Sequence, residues 1–217
     1  NMMDNTIQGI YNLIFTNAST NIEISNDFSP FTASYGSIFV GTQCGLISGN
    51  NATAVGSSIV GLGGALVDQS IAIGNGAAPW GTGIGSVAIG TATGTSPSSL
   101  ITTPQSAYAI AIGNSAGGGV AGGQGDSAIA IGNGAGTGNG QSLNAIAIGK
   151  SSGGVVGQSI GAIAIGTSSG GQGVAQGSNS ICLGTNAGVG FGAGGVPANS
   201  FVVSSVRPIT APSATLP

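Results

Sequence analysis

Large and small apolar residues alternate in short phrases along the middle of this chain, and each phrase closes on glycine. They read SIAIG at 70–74, SVAIG at 86–90, AIAIG at 109–113, 128–132, 145–149 and 162–166, and SICLG at 180–184. Period two with β-branched residues predicts a short strand, and alternate side chains leave it on opposite faces. One face is then Ile71/Ile73, Val87/Ile89, Ile110/Ile112, Ile129/Ile131, Ile146/Ile148, Ile163/Ile165 and Ile181/Leu183. The other carries Ala, Ser and one Cys. The isoleucines read as the inner face, a stacked structural ladder, because each fully buried Ile contributes about 1.5–3 kcal/mol relative to exposure. Small residues on the other face read as a surface for close contact between chains, since a solvated face usually carries longer polar residues.

The closing glycines are Gly74, Gly90, Gly113, Gly132, Gly149, Gly166 and Gly184, separated by 16, 23, 19, 17, 17 and 18 residues. Such a period marks a repeat architecture in which one unit cannot bury its own apolar face and must stack on its neighbours. Glycine reaches positive φ without steric cost, so these positions predict corners. Small and polar residues follow, as in Asn114-Ser115-Ala116 and Asn133-Gly134-Ala135, and Gly/Ser/Gln-rich links lead back to the next strand. The prediction is an all-β solenoid of short parallel strands. With strands ~4.8 Å apart, roughly ten coils would make a rod about 50 Å long.

The pattern weakens toward both ends. Ser37–Gly41, Ala52–Gly56 and Ser58–Gly61 read as degenerate copies, and Ser200–Ser204 as a final strand. Residues 1–36 hold half of the aromatic residues and read as an N-terminal cap or attachment segment, because a stack needs its ends blunted. Residues 37–206 are the repeats, regular over 70–187, and the proline-bearing segment 207–217 reads as an extended tail. The start at Asn1 points to a processed or truncated chain. The apolar patch Ile10–Phe15 is too short for a membrane span and follows no basic segment, so it is not a signal peptide.

Composition narrows the functions. Charged residues are 3% of 217, against about 25% in ordinary domains. With one Lys and one Arg, the chain lacks the basic cluster that nucleic acid requires. A net charge of −3 gives little electrostatic solubility and favours packing into a larger assembly. There is no histidine, which removes Ser-His-Asp and Cys-His catalysis and His-bearing metal sites. No catalytic residue, cofactor or metal is expected, and the chain reads as a non-enzyme. Cys182 replaces Ala in its repeat and reads as a packed residue, and a disulfide to distant Cys44 is disfavoured. Asp68 and Asp126 precede their strands at the same offset and read as loop acids on one edge of the stack. Lys150 follows its corner glycine and reads as solvated. Trp80 lies in a loop and is a candidate surface contact. Asn17-Ala18-Ser19 and Asn51-Ala52-Thr53 match glycosylation sequons. An ice-binding solenoid is a minor alternative, because Thr91, Thr167 and Thr185 follow their glycines while Asn75, Asn114, Asn133 and Lys150 interrupt the array.

The repeated S/A-[IV]-A-I-G-x-x-A resembles the head repeat of trimeric autotransporter adhesins, the YadA-like head, well over 70–187 and loosely over 37–61. The resemblance implies a left-handed parallel β-roll, three chains per assembly, the isoleucines as roll interior, the glycines as corners, and attachment to host surfaces. The family repeat is shorter than this one, and the basic neck, heptad stalk and membrane anchor of the family are not found here. Similar repeats occur in phage and viral fibres, where they precede a self-cleaving chaperone domain; Ser200–Pro212 resembles that junction. The expected partners are therefore further copies of this chain and a host or neighbouring structural surface. The expected location is extracellular, at a cell or virion surface.

Overall fold

The computed structural model describes residues 36–42, 46–47, 49–59, 65–94, 105–119, 123–154, 156–171, 173 and 175–204, with the backbone of 12–15 and 22–25. Among the described residues, fourteen strands occur in chain order. At the N-terminal end are β1 (Asn12–Phe15), β2 (Ile22–Ser25), β3 (Ile38–Thr42), β4 (Leu46–Ile47), β5 (Thr53–Ser57) and β6 (Ala65–Leu66). The central strands are β7 (Ile71–Asn75), β8 (Val87–Ile89), β9 (Ile110–Ile112), β10 (Ile129–Ile131), β11 (Ile146–Ile148) and β12 (Ile163–Ile165). β13 (Ile181–Leu183) and β14 (Phe201–Val203) follow at the C-terminal end of the described residues. Among the described residues there is no helix.

One 12-stranded sheet runs β1-β2-β3-β5-β7 and then through β8 to β14 in sequence order, while β4 and β6 form a small second sheet. From β2 onward every pairing in the large sheet is parallel, and only β1 lies antiparallel, on β2. The chain is a β-solenoid of about eight turns, rather than the roughly ten expected. Of the segment expected as the copy Ser58–Gly61, the described residues Ser58 and Ile59 lie in a turn rather than a strand. Ser58 has φ +52° and Ile59 is buried in the turn that leaves β5.

Like residues stack on like. Ile129 pairs with Ile110 and Ile146, Ala130 with Ala111 and Ala147, and Ile131 with Ile112 and Ile148. The corner glycines extend the ladder, since Gly113, Gly132, Gly149 and Gly166 each donate from N to the third strand residue of the preceding coil at 2.8 Å. They have φ of +136°, +131°, +124° and +128°, outside what L residues adopt. A Cβ on Gly132 would sit 2.6 Å from the carbonyl oxygen of Gly149. Coil-to-coil contact is therefore backbone on backbone at this corner, which explains why glycine recurs there.

The inside of the solenoid reverses the expected assignment of faces. Ala72, Ala88, Ala111, Ala130, Ala147, Ala164 and Cys182 are all fully buried. The isoleucines of the same strands point outward, most of them half-buried, with Ile165 39% exposed. The proposed inner ladder (Ile71, Ile73, Val87, Ile89, Ile110, Ile112, Ile129, Ile131, Ile146, Ile148, Ile163, Ile165, Ile181, Leu183) is a real ladder in register, but on the outer face. The alanines have no surface to offer another chain. The physical reason is thickness. A second wall packs directly against the strands, and the space between holds only small side chains.

That second wall is a glutamine column. Gln105, Gln124, Gln141, Gln158 and Gln176 are buried, and the last four form successive parallel bridges ending on Val196. Gln158 Nε2 donates to Ile146 O of the preceding coil at 2.9 Å, to Ala162 O of its own coil at 3.3 Å and to Gln176 Oε1 of the next at 3.1 Å. Gln105, Gln124, Gln141 and Gln176 repeat the two carbonyl contacts. Each carboxamide thus adds a second donor to carbonyls that already accept a coil-to-coil backbone bond, such as Ala162 O from Ile146 N at 2.8 Å, and satisfies its own buried amide nitrogen. At the N-terminal end Thr82 pairs with Gln105 in place of a further glutamine, and among the described residues the interior is filled by Phe39, Ile59 and Leu66 with alanines around them.

Candidate functional site: an outward apolar sheet face

The outward face is built by the strand phrase itself. Its first column is Ile38, Thr53, Ile71, Val87, Ile110, Ile129, Ile146, Ile163, Ile181 and Phe201, and its second is Val40, Val55, Ile73, Ile89, Ile112, Ile131, Ile148, Ile165, Leu183 and Val203. Only Thr53 among them carries a polar side-chain atom. With strands ~4.8 Å apart and ~3.3 Å per residue along each, the face measures about 45 Å by about 10 Å. Phe201 is the most exposed of these residues at 66%, and Ile38, near the other end, is 40% exposed.

A ridge borders this face at the corner before each strand. Ile84, Leu143 and Ile160 occupy one position of it, three residues before the strand, and all are exposed. Their carbonyls accept from Tyr108, Gly161 and Asn179 of the following coils at 2.8–3.0 Å. Tyr108, in the adjoining column, is 61% exposed. Asp68 and Asp126 stand at the same ridge position, three coils apart, as their shared offset predicts. Both are exposed, and Asp68 Oδ1 accepts from Asn50 N at 2.7 Å. The ridge therefore mixes large apolar residues with two isolated carboxylates. Together, face and ridge form a continuous, partly exposed apolar strip among the described residues.

The remaining candidate residues do not gather. Lys150 is exposed in the column after the corner glycines, beside the Asn and Thr residues of neighbouring coils. Trp80 is half-buried in the turn after β7. Cys182 is a free thiol in the alanine column. Burial pushes its pKa up, and a backbone hydrogen bond with Gly170 partly offsets that. Asn51 of the second sequon is exposed with φ +56°. Cys44, Asn17, Arg207 and the tail 207–217 lie outside the described residues, as does most of 1–36. Among the described residues no three His, Cys, Asp or Glu side chains approach as a metal group, and no helix is long and apolar enough to cross a membrane.

The glutamine column is the part of the architecture that strand alternation does not reveal. Its signal is present in the sequence: each Gln stands four residues before the last small residue preceding the strand, as in QSLNAIAIG and QSIGAIAIG. No family model matches the chain, and neither a curated protein nor a solved structure is similar to it at a significant level.

Proposed function

We propose that this chain is a non-enzymatic structural or attachment protein that self-associates, as a trimer, through its outward isoleucine face. The observation that carries this reading is that face: two registered columns of large apolar side chains, interrupted only by Thr53 and bordered by a ridge that carries Ile84, Leu143 and Ile160. Isoleucine, valine and leucine fill these columns although the fold does not need them inside. Thr would serve an exposed strand equally well. The sparse charge of the chain supports the same reading, since an isolated rod of this composition is poorly solvated. The number three and a place on a cell or virion surface come from the repeat's resemblance to adhesin heads and fibres. On the alternative reading, the chain is a virion or phage fibre or shell component released from a C-terminal self-cleaving chaperone, and the same face would join its copies.

Sedimentation velocity and light scattering test the assembly. The wild-type chain is expected to run as a single species of three chains. Ile112→Glu combined with Ile131→Glu places two carboxylates on the face, and this variant is expected to run as a monomer with the wild-type far-UV circular dichroism. A wild-type chain that stays monomeric at micromolar concentration, or a double variant that assembles like wild type, would remove this reading.

A further inference from the structure

Three Asn-Gly pairs lie in the described residues, Asn75-Gly76, Asn133-Gly134 and Asn139-Gly140. All three asparagines are exposed, so exposure does not distinguish them. Asn-Gly is the sequence in which a side-chain amide is most open to attack by the following backbone nitrogen, because glycine has no Cβ to obstruct the approach.

The stack locks two of the pairs. Gly76 N donates to Ser57 O at 2.8 Å and Gly134 N to Asn114 O at 2.9 Å, so each nitrogen that would attack is held in a coil-to-coil hydrogen bond. The asparagine side chains are held as well: Asn75 Nδ2 donates to Ser57 Oγ at 2.7 Å and Asn133 Nδ2 to Asn114 Oδ1 at 3.4 Å. The third pair is different. Gly138 bridges Gly119, and Gln141 bridges Gln124 and Gln158, so Asn139-Gly140 is the elbow between two anchored positions. Gly140 O accepts from Gln158 N at 3.2 Å, but among the described residues Gly140 N–H and the Asn139 side chain have no partner. Gly140 is itself buried, and a buried backbone N–H without a partner is rare in folded proteins. Gly138 and Gly140 have φ of +107° and +95°, leaving glycine freedom on both sides of the asparagine.

We infer that Asn139 is a site of self-modification by deamidation in the folded protein, while Asn75 and Asn133 are protected by the stack. Gly140 N loses its proton and bonds to Asn139 Cγ, closing a five-membered succinimide. The Cγ–Nδ2 bond breaks, and the amide nitrogen leaves as ammonia with that proton. Water then opens the ring at either carbonyl, giving aspartate or isoaspartate and one new negative charge. No oxidant or enzyme is required, and the rate rises with pH because the attacking nitrogen must deprotonate.

The test incubates the full chain at mildly alkaline pH and body temperature. Intact mass, isoaspartyl methylation and thermolytic peptide mapping assign each site, with a urea-unfolded sample as reference. In urea all three pairs are expected to convert at similar rates. In the folded chain Asn139 is expected to convert about tenfold or more faster than Asn75 and Asn133, the suppression that local opening worth about 1.4 kcal/mol imposes. Asn139→Gln is expected to remove the fast phase without changing the circular dichroism. Equal rates at the three sites in the folded chain, or an Asn139 that converts only in urea, would overturn the inference.

Discussion

The two faces of the same three-residue strands differ by three carbon atoms per position and by everything else. Inward columns hold Ala in coil after coil, with Cys182 as the one substitution in the regular region. Outward columns accept Ile, Val, Leu, Thr and Phe. The inward face meets a glutamine wall, and no second sheet covers the outward face among the described residues. The contrast teaches that tolerance, more than hydrophobicity, marks the inside here. A position that admits only one small residue is being measured by a wall, whereas a position that admits any branched apolar residue is being asked only for surface. The exceptions lie at the two ends: Phe39 and Val202 enter the inward column beyond either end of the described glutamine bridges.

The sharpest way to break the comparison is to exchange sizes within one strand. Ala130→Ile forces extra carbons between two backbone walls and is expected to cost about 3 kcal/mol or more, near the upper end for overpacking. Ile129→Ala next to it removes half-exposed surface and is expected to cost about 1 kcal/mol in the isolated chain. Denaturant midpoints of the two variants, measured where the chain is monomeric, decide the matter. If Ile129→Ala proved the more damaging, the inner and outer faces would be exchanged again.

A second variant tests whether the inner wall is held by polarity or by shape. Gln158→Leu keeps the volume but strips the donors that serve Ile146 O and Ala162 O. It is expected to destabilise by about 1 kcal/mol, the cost of losing second donors, because Ala162 O keeps its bond from Ile146 N at 2.8 Å. A neutral or stabilising result in thermal denaturation would make the column a spacer rather than a hydrogen-bonding device.

The smallest effect is expected at Cys182. Ala fills its column in the six preceding regular coils, so Cys182→Ala should change stability by about 0.5 kcal/mol or less. The native thiol should resist aromatic disulfide reagents until the chain unfolds. Its raised pKa also sets a sign. At alkaline pH the unfolded thiol ionises first, the unfolded state binds fewer protons, and stability falls as pH rises. Cys182→Ala should remove that part of the alkaline loss. A native thiol that reacts at the unfolded rate would place Cys182 outside the wall.

Much of this molecule was legible before any fold was drawn. Alternation in AIAIG requires a strand, repetition requires stacking, and glycine at a fixed place requires a corner that no other residue can make. These are local constraints, each set by the geometry of a few bonds. The offset of Asp68 and Asp126 placed them on one edge for the same reason. The glutamine column was equally regular, yet a lone polar residue in a Gly-rich link does not announce burial. Only its partners, backbone carbonyls of the preceding coil and of its own, make it a wall.

What the sequence could not decide was which face of the strand is the inside. Period two defines two faces and ranks them by hydrophobicity, but hydrophobic residues remain abundant on real surfaces. The choice depends on the distance to the opposite wall, and that distance is a property of the closed coil. Here the coil closes tightly around backbone and glutamine, alanine is what fits, and the isoleucines are left facing out.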